Sequence, residues 1–237
     1  MAGTLYMVAT PIGNLGDISA RALDTLRAVN VVVCEDTRVT KKLLERYGIA
    51  SATLSLHHHS SPAVVASLIS RLEQGESLAY VSDAGTPGVA DPGGKLVVAA
   101  VAADIVVAPI PGASAVTATL SVAGLPTNSY LFLGFPPHKK GRQTFFREVV
   151  ASKYPVVFFE SKHRIEKCLA ELAKLAPQRE LVVCREITKL HETIYRGAAQ
   201  KVLEQLKLSS SKGEFVVVVG QEDKKKLADI VQSASVR

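Results

Sequence analysis

The stretch SLAYVSDAGTPGVADPGG, residues 77–94, joins a short apolar run to a loop that holds four glycines and two prolines. The run SLAYV does not alternate between polar and apolar residues, which is typical of a parallel strand covered on both faces. Glycine lets a backbone approach a ligand closely, and proline stiffens the loop that does so. Because ligands of open α/β sheets bind outside the carboxyl ends of the strands, this loop is expected at a binding edge.

Three more apolar runs in the first half repeat the order of strand, polar turn and helix. The four runs are LYMVA (5–9), VVVC (31–34), SLAYV (77–81) and IVVAPI (105–110). The other three end in loops of compact polar or backbone-exposing residues, TPIGN (10–14), EDTR (35–38) and PIPGASA (109–115). This pattern predicts a buried parallel sheet with four loops crowding one edge, where they form a pocket.

After PGASA the strands become longer and more aromatic. Strands are predicted at 130–135, 155–160, 181–186 and 214–220, and helices at 142–150, 164–175 and 198–206. The alternation predicts a second α/β unit. The predicted domains are residues 1–112, residues 113–225 and a terminal helix or tail at 226–237.

Composition limits the class of protein. The 237 residues carry a net charge of +6, which fits a partner that bears phosphates, and no apolar run reaches the roughly 18–20 residues of a membrane helix. No secretory signal is visible at the start. The chain has an odd number of cysteines, and the three, Cys34, Cys168 and Cys184, form no CxxC motif. We therefore expect reduced, buried thiols. Such thiols favour a cytoplasmic protein, and we expect no membrane partner.

Several common sites are not supported. Neither GxGxxG after the first strand nor GxxxxGK[ST] is present, which argues against a nucleoside triphosphate or NAD site. His57, His58 and His59 cannot all point at one ion from a strand or helix, and no cysteine or carboxylate partner stands at ligand spacing. We therefore expect a surface loop there and no metal.

Short charged groups stand where the strands of the first half end. Glu35, Asp36 and Arg38 form either a salt-bridged helix start or a substrate contact, and their place at the expected pocket edge favours the contact. Asp83 fits a ligand contact and a turn cap equally well. Asp91 precedes a proline, a pattern that predicts a helix N-cap.

The second half holds two charged loops. HKKGR, residues 138–142, presents three cations suited to phosphate oxygens, although a solvated loop fits the same residues. REITKLHE, residues 185–192, follows the apolar run LVVC. SKGE, residues 211–214, stands just before the last strand, where a tight turn explains its glycine.

Taken in order, these segments closely resemble the RsmI-type ribosomal RNA methyltransferases of the tetrapyrrole methylase superfamily. The segments that carry the resemblance are VATPIGNLGDIS, CEDTR, SDAGTPGVADPG, PIPGASA, AGLPT, GFPPHKKGR, ES.HR, REITKLHE and KGE.V. The likeness extends from about Leu5 to Gly220. It implies an α/β fold of the class III methyltransferase type, with an N-terminal parallel sheet, a C-terminal mixed sheet and a ligand cleft between the two domains.

The resemblance also implies an activity. Its cofactor is S-adenosylmethionine, its reaction is methylation of the 2′-hydroxyl of a cytidine in the decoding region of 16S rRNA in the small ribosomal subunit, and its assembly is a homodimer. Porphyrin-modifying relatives carry a GxGPGD-like loop where this chain has TPIGN, which argues against a tetrapyrrole substrate. Two alternatives stay open: a methyltransferase of the superfamily that acts on a small molecule or protein, and a ribosome-binding protein without enzymatic activity.

Position by position, the resemblance implies two groups of site residues, and the chemistry of the implied reaction suggests a third. The cofactor-binding group is Pro11, Ile12, Gly13, Asp83, Ala84, Gly85, Thr86, Pro87, Pro111, Gly112, Ala113, Ser114 and Ala115. The RNA-binding group is Glu35, Arg38, Lys139, Lys140, Arg142, Arg185 and Lys212. A ribose hydroxyl is a poor acid, so a positioned base or a nearby cation is expected to help as its proton leaves. The catalytic group expected on this ground is Lys189, Glu186 and Asp36, with His191 and Glu214 as further candidates. Some members continue into a helical extension where about seventeen residues follow Gly220 here, so HKKGR and the dimer surface are expected to grip the RNA.

Overall fold

The computed structural model describes residues 1–221, and the predicted terminal helix or tail at 226–237 lies outside them. The chain divides into two compact units, Met1–Ala115 and a second that begins at Val116. The sequence-based boundary after residue 112 falls in the loop between the last strand of the first unit and the helix that follows, and it stays a prediction.

The first unit alternates strands and helices. Its elements are β1 (Thr4–Val8), α1 (Ala20–Ala28), β2 (Val31–Cys34), α2 (Thr37–Arg46), β3 (Ala52–Ser55), α3 (Pro62–Glu73), β4 (Leu78–Val81), α4 (Gly93–Ala102) and β5 (Val106–Ile110). The strands pair in the order β3-β2-β4-β1-β5, and every pair is parallel. The predicted parallel sheet is confirmed.

Two helical layers cover this sheet. On one face α3 and α4 pack against residues such as Leu5 and Tyr80, and on the other α1 and α2 pack against residues such as Val32 and Ala79. The central strands β2 and β4 are buried at every position. This explains why their sequences are apolar runs without alternation.

The two edge strands depart from the sequence-based expectation. β5 was expected to be covered on both faces, but it is an edge strand whose Val106 side chain is 65% exposed. β3 was not predicted, because its sequence ATLS is short and partly polar and most of its residues are exposed. An edge strand is paired on one side only, so its sequence is less constrained to be apolar.

The second unit has a mixed sheet. Its elements are α5 (Ala115–Ser121), β6 (Leu131–Phe132), α6 (Arg142–Ala151), β7 (Val156–Ser161), α7 (Ile165–Leu175), β8 (Glu180–Arg185), β9 (Thr193–Ala198), α8 (Ala199–Leu208) and β10 (Glu214–Val219). The strand order is β6-β7-β10-β8-β9, in which only β6 and β7 pair in parallel. The expected C-terminal mixed sheet is confirmed, although β9 was missed and the strand predicted at 130–135 contains only two residues.

Three helices of the second unit lie on the same face of its sheet. α6, α7 and α8 share one core with the strands, around fully buried side chains such as Phe146, Phe158 and Leu169. β6, β7 and β8 run in the same direction, and α6 and α7 are the crossover helices between them. Both helices therefore run antiparallel to these strands and begin at the carboxyl edge of β6 and β7.

Three further expectations concern the cysteines, the three consecutive histidines and membrane-spanning helices. All three cysteines are free and buried, as predicted, and burial raises the pKa of each thiol. His57, His58 and His59 lie in an exposed turn after β3, which confirms the expected surface loop. Within residues 1–221, every helix is too short or too polar to cross a bilayer.

The glycine-rich loop after β4 leads into α4, which begins at Gly93. Pro92 stands before it with helical backbone angles (φ −72°, ψ −9°), so proline occupies the first turn as predicted. The Asp91 carboxylate accepts hydrogen bonds from the N–H groups of Gly88, Val89 and Gly93 at 2.7, 3.2 and 2.8 Å. The bond from Gly93, two residues further on, is the one that an N-cap side chain makes, which agrees with the predicted cap.

The start of α4 provides a matched test of packing. A Cβ added to Gly93 would stand 2.4 Å from the buried Tyr80 ring, whereas one added to Gly94 meets nothing within 4 Å. We expect Gly93→Ala to lower the free energy of unfolding by about 1–3 kcal/mol through overpacking. Gly94→Ala should leave it unchanged or raise it by about 0.4–1 kcal/mol. Urea denaturation of both variants measures the difference, and equal stabilities would contradict the contact.

Candidate functional site

The loops that follow β1, β4 and β5 are joined by hydrogen bonds. Thr10 and Gly85 exchange two backbone hydrogen bonds of 3.0 and 3.1 Å, which ties TPIGN to SDAGTPG. The Thr86 hydroxyl donates to the carbonyl of Ala113 at 3.0 Å, which ties SDAGTPG to PGASA. The three loops that the sequence assigned to a cofactor therefore form one continuous structure in the first unit.

Two glycines are needed for this close approach. Gly85 has a φ of +83°, and a Cβ there would stand 3.1 Å from the side chain of Ile12. A Cβ on Gly112 would stand 3.0 Å from the Cβ of Ala9. A side chain at either position would press against the neighbouring loop, because such contacts are tighter than ordinary packing allows.

The predicted cofactor residues separate into a buried group and an exposed group. Ile12, Gly85 and Pro87 are buried and support the loops. Pro11, Thr86, Ala113, Ser114 and Ala115 are partly exposed, whereas Gly13, Asp83, Ala84, Pro111 and Gly112 are exposed. The partly exposed and the exposed residues together, with their backbone amides and carbonyls and one carboxylate, are termed the loop ledge. These donors and acceptors fit a polar ligand that carries hydroxyl and amino groups.

Asp83 links the loop ledge to the EDTR segment. Its carboxylate accepts a hydrogen bond of 3.1 Å from the N–H of Asp36. Burial raises the pKa of Asp83, and the charge of Asp36 acts in the same direction. Burial, followed by the charge of Asp83, also raises the pKa of Glu35. The carboxyl ends of β2 and β4 thus bring three carboxylates together, at the sheet edge where these loops were predicted to meet.

Asp36 has a structural task at this edge. Its carboxylate caps α2 by accepting from the N–H of Arg38 at 2.8 Å, and it pairs with the Arg38 guanidinium at 2.7 Å. The hydrogen bonds from Arg38 lower the pKa of Asp36 to about 2. So acidic a group is a weak base at neutral pH, which disfavours the predicted catalytic role of Asp36. The Arg38 side chain is 86% exposed.

The predicted catalytic residues of the second unit form one cluster. Lys189 Nζ lies 3.1 Å from Glu186 Oε1 and 2.8 Å from Glu214 Oε2. Glu186 Oε1 also accepts a hydrogen bond of 2.8 Å from the N–H of Glu214. The start of β10 and the loop after β8 therefore fix the ammonium group between two carboxylates.

The backbone of this cluster is strained. Glu186 and Thr188 have φ values of +52° and +67°, which non-glycine residues seldom adopt. Gly213 must be glycine, because a Cβ there would lie 2.6 Å from the Glu186 side chain. The Thr188 hydroxyl is buried and has no hydrogen-bond partner among residues 1–221. Such strain collects at functional sites, where the surrounding structure has to hold it in place.

The two key side chains of the cluster are both charged at neutral pH. Burial lowers the pKa of Lys189, but hydrogen bonds to Glu214 and Glu186 outweigh it, so the net pKa is raised. Burial raises the pKa of Glu186, but hydrogen bonds from the Glu214 N–H and from Lys189 outweigh it, so the net pKa is lowered. Lys189 is thus a fixed cation, and Glu186 is a weak base.

The partly buried Arg185 side chain forms hydrogen bonds to the protein's own backbone. Its guanidinium donates to the backbone carbonyls of Lys212 at 2.6 Å and of His191 at 3.3 Å, so it joins the two loops around the cluster. The side chains of Lys212 and His191 are exposed. Of the RNA-binding residues predicted in this region, Lys212 is the one whose side chain is exposed.

An ion-pair network around Glu160 was missed by the sequence reasoning. The Glu160 carboxylate is fully buried and pairs with Arg142 at 2.9 Å and with Arg164 at 3.0 Å. It also accepts a hydrogen bond of 2.8 Å from the N–H of Ser161. The motif ES.HR contained both Glu160 and Arg164, but nothing in the sequence indicated that Arg142 would reach them.

The network shapes the HKKGR loop. Arg142 and Arg164 donate to the carbonyls of Pro137 and Pro136 at 3.4 and 3.1 Å, and Arg142 also stacks on Phe146. Arg142, predicted to contact RNA, thus points inward with its side chain 15% exposed. Lys139 and Lys140 are exposed on the same loop.

Among residues 1–221, no cluster of three or more histidine, cysteine or carboxylate side chains is arranged to hold a metal ion.

A family model supplies the comparison that decides the class of protein. The model described as Tetrapyrrole (Corrin/Porphyrin) Methylases matches residues 4–203. The chain belongs to the tetrapyrrole methylase family.

Curated relatives place the chain more closely within this family. A protein of Xylella fastidiosa (strain Temecula1) named "Ribosomal RNA small subunit methyltransferase I" is 47% identical over 221 residues, which cover 92% of this chain and 81% of that protein. A protein of the same name from Hydrogenobaculum sp. is 41% identical, with 92% and 96% covered. The resemblance to RsmI-type methyltransferases noted in the sequence is confirmed.

A solved structure supports the fold. Uroporphyrin-III-C-methyltransferase from Thermus thermophilus aligns with a TM-score of 0.63 over 92% of this chain and 94% of that one, at 18% identity. At that identity the likeness concerns the fold alone.

The Glu160 network supplies a stability test. Glu160→Gln leaves two largely buried guanidinium groups without a negative partner, so we expect a loss of about 3 kcal/mol in the free energy of unfolding. Asp24→Asn, which breaks an ion pair whose Arg27 and Asp24 side chains are 49% and 79% exposed, should cost less than about 1 kcal/mol. Chemical denaturation compares the two, and equal losses would rule out a special role for the buried carboxylate.

Proposed function

We propose that this protein transfers a methyl group from S-adenosylmethionine to the 2′-hydroxyl of a cytidine in the decoding region of 16S rRNA. The observation that carries the proposal is the 41–47% identity to proteins named "Ribosomal RNA small subunit methyltransferase I" over 92% of the chain. The substrate is the small ribosomal subunit, and the protein therefore works in the cytoplasm.

The loop ledge is the proposed cofactor site. Its exposed backbone amides and carbonyls, together with the carboxylate of Asp83, suit the hydroxyl and amino groups of S-adenosylmethionine. Gly85 and Gly112 keep the three loops close enough to act as one surface. The buried residues Ile12 and Pro87 support the ledge from beneath.

The chemistry that S-adenosylmethionine supplies is an electrophilic methyl group on a positively charged sulfur. The protein's part is to align a ribose hydroxyl and to stabilise the oxygen as its proton leaves. Lys189 suits this task because its raised pKa keeps the ammonium charged at neutral pH. We assign to Lys189 a hydrogen bond to the 2′-oxygen that stabilises developing negative charge.

Glu186 is the proposed positioning residue for Lys189. Its carboxylate holds the ammonium group while its backbone adopts a strained conformation. Its lowered pKa makes it a poor proton acceptor, so we assign that role to solvent or to Glu214, whose side chain is 81% exposed. This assignment narrows the set of catalytic candidates taken from the sequence.

The proposed RNA contacts are the exposed cations and the edge of the first unit. Lys139, Lys140 and Lys212 are exposed and suit phosphate oxygens. Glu35 and Arg38 stand at the carboxyl end of β2 and are proposed to contact the substrate. Arg142 and Arg185 are proposed to support these contacts from within the protein, because their guanidinium groups bind backbone carbonyls.

A homodimer is part of the proposal. Val98 and Val101 on α4 and Val106 on the edge strand β5 are 71%, 61% and 65% exposed. Large apolar side chains so near one another in the chain support a subunit interface on this side of the first unit.

Two measurements test the proposed function. We expect calorimetry to show one S-adenosylmethionine site per chain, a result that a purely structural ribosome-binding protein would not give. We then expect purified small ribosomal subunits from a strain lacking the gene to gain one 2′-O-methyl cytidine in 16S rRNA when incubated with protein and cofactor. Cofactor binding without any methylated rRNA would instead support a small molecule or protein substrate.

Variants of the lysine cluster test the proposed mechanism. We expect Lys189→Ala to lower kcat for rRNA methylation by about 100- to 1,000-fold, as for removal of one donor to a developing oxyanion. Glu186→Gln should lower kcat by less, because the amide oxygen can still accept from the ammonium group. Affinity for S-adenosylmethionine should be unchanged in both variants.

Lys207→Ala on α8 is the matched control. Lys207 is exposed and forms no ion pair or hydrogen bond among the described residues, so this variant should match the wild type in kcat and KM. If Lys189→Ala retained full kcat with an unchanged melting temperature, Lys189 would have no part in the reaction.

A further inference from the structure

A groove with a volume of about 560 Å³ lies between α6 and α7 on the outer surface of the second unit. Gln143 and Arg147 line it from α6, and Lys167, Glu171 and Lys174 line it from α7. These positions recur at helical spacing, so one stripe of each helix faces the groove while the opposite stripes are buried in the core.

The groove carries an excess of positive charge that residues 1–221 do not neutralise. Arg147, Lys167 and Lys174 are exposed, and none of them forms an ion pair or hydrogen bond within residues 1–221. Glu171 stands one turn from each lysine but pairs with neither of them. Glu171 is at the i,i+4 position from Lys167 and the i,i+3 position from Lys174, where helix ion pairs usually form, yet three cations of the groove surround this one unpaired carboxylate.

The cations follow the length of the groove. Lys167 and Lys174 are seven residues apart on α7, which corresponds to about 10.5 Å along the helix axis. Ala170 and Leu175 form an apolar part of the lining, and Leu175 is 43% exposed. A lining of spaced cations with an apolar part fits an extended polyanion better than a single small anion.

The HKKGR loop directly precedes α6, at the edge of the sheet where both helices of the groove begin. α6 and α7 begin at the same edge of the sheet, where the Glu160 carboxylate binds Arg142 and Arg164 beside their first turns. Lys139 and Lys140 precede α6 at that edge, and Lys167 stands in the first turn of α7. The exposed cations of the loop therefore continue into those of the groove.

We propose that the groove between α6 and α7 binds the phosphodiester backbone of RNA, as an extension of the surface that begins at Lys139 and Lys140. This inference rests on the proposed function, since it adds a second contact region for the same rRNA substrate. An RNA strand is favoured over an acidic protein segment because the cations form a line that continues from the loop. Neutralising phosphates with such cations releases counterions and makes affinity dependent on salt.

Charge reversal tests the groove. The double variant K167E/K174E is compared with K201E/K207E, which changes the net charge equally on α8, on the other side of α7 from the groove. The probes are a labelled single-stranded RNA oligonucleotide and purified small ribosomal subunits. We expect K167E/K174E to lose affinity for both probes by about tenfold or more, and K201E/K207E to stay close to the wild type.

A neutralising variant adds a second, independent measurement. For K167Q/K174Q we expect the slope of log affinity against log salt for the oligonucleotide to become shallower by about 1.4, since each lost single-strand phosphate contact removes about 0.7. Affinity for S-adenosylmethionine should match the wild type in every variant, because none of the changed residues belongs to the loop ledge. Melting temperature should match in K167Q/K174Q and fall slightly and similarly in the two charge-reversal variants, since each adds two like-charge helix pairs of about 0.2–0.5 kcal/mol.

The outcomes separate the groove from the proposed function. If the wild type methylates 16S rRNA while K167E/K174E binds both probes as tightly as K201E/K207E, the groove assignment is overturned and the proposed function stands. If the groove variants lose RNA affinity but the wild type methylates no rRNA, the groove assignment stands and the proposed function fails. Loss of binding to polyglutamate in K167E/K174E, with unchanged RNA affinity, would assign the groove to an acidic protein and overturn the proposal.

Discussion

The pair of backbone hydrogen bonds between Thr10 and Gly85 is the contact on which the first unit's candidate site depends. β1 lies between β4 and β5 in the sheet, so the loop after β1 can touch both neighbouring loops. The pair fixes the path of SDAGTPG, and Thr86 then carries that path on to the carbonyl of Ala113. A side chain at Gly85 would push against Ile12 and separate the loops. The loop ledge is thus a product of sheet order and of glycine, more than of any reactive side chain.

In the second unit, ion pairs hold the candidate functional loops in place, whereas backbone hydrogen bonds do so in the first unit. One buried carboxylate, Glu160, satisfies two guanidinium groups, and these in turn hold the carbonyls of Pro136 and Pro137. The arginines are thereby unavailable as flexible contacts, and the exposed lysines of the loop are left to face solvent. Lys189 follows the same logic between Glu186 and Glu214. In both places a cation is held by an acid, which costs less free energy than leaving either group buried alone.

Much of this could be predicted from the sequence, and the exceptions have physical causes. The runs VVVC and LAYV identified central strands because burial on both faces demands apolar residues at every position. ATLS escaped notice because an edge strand has no such demand. The three glycine-rich loops were recognised and their joining was anticipated from sheet topology. The inward turn of Arg142 was not, since a charged residue after two lysines is indistinguishable in sequence from a third surface cation. The capping role of Asp36 was also not predicted over a catalytic one, because its hydrogen bonds from Arg38 depend on the backbone path at the start of α2.

The burial of all three thiols has a practical consequence for work on this protein. Cys34, Cys168 and Cys184 are enclosed, and their raised pKa values leave little thiolate to react with alkylating reagents or oxidants. The native thiols of the folded chain are therefore expected to react little with maleimides. A single cysteine placed on an exposed helix face would be labelled selectively, so fluorescent or spin reporters can be attached without first removing the native thiols.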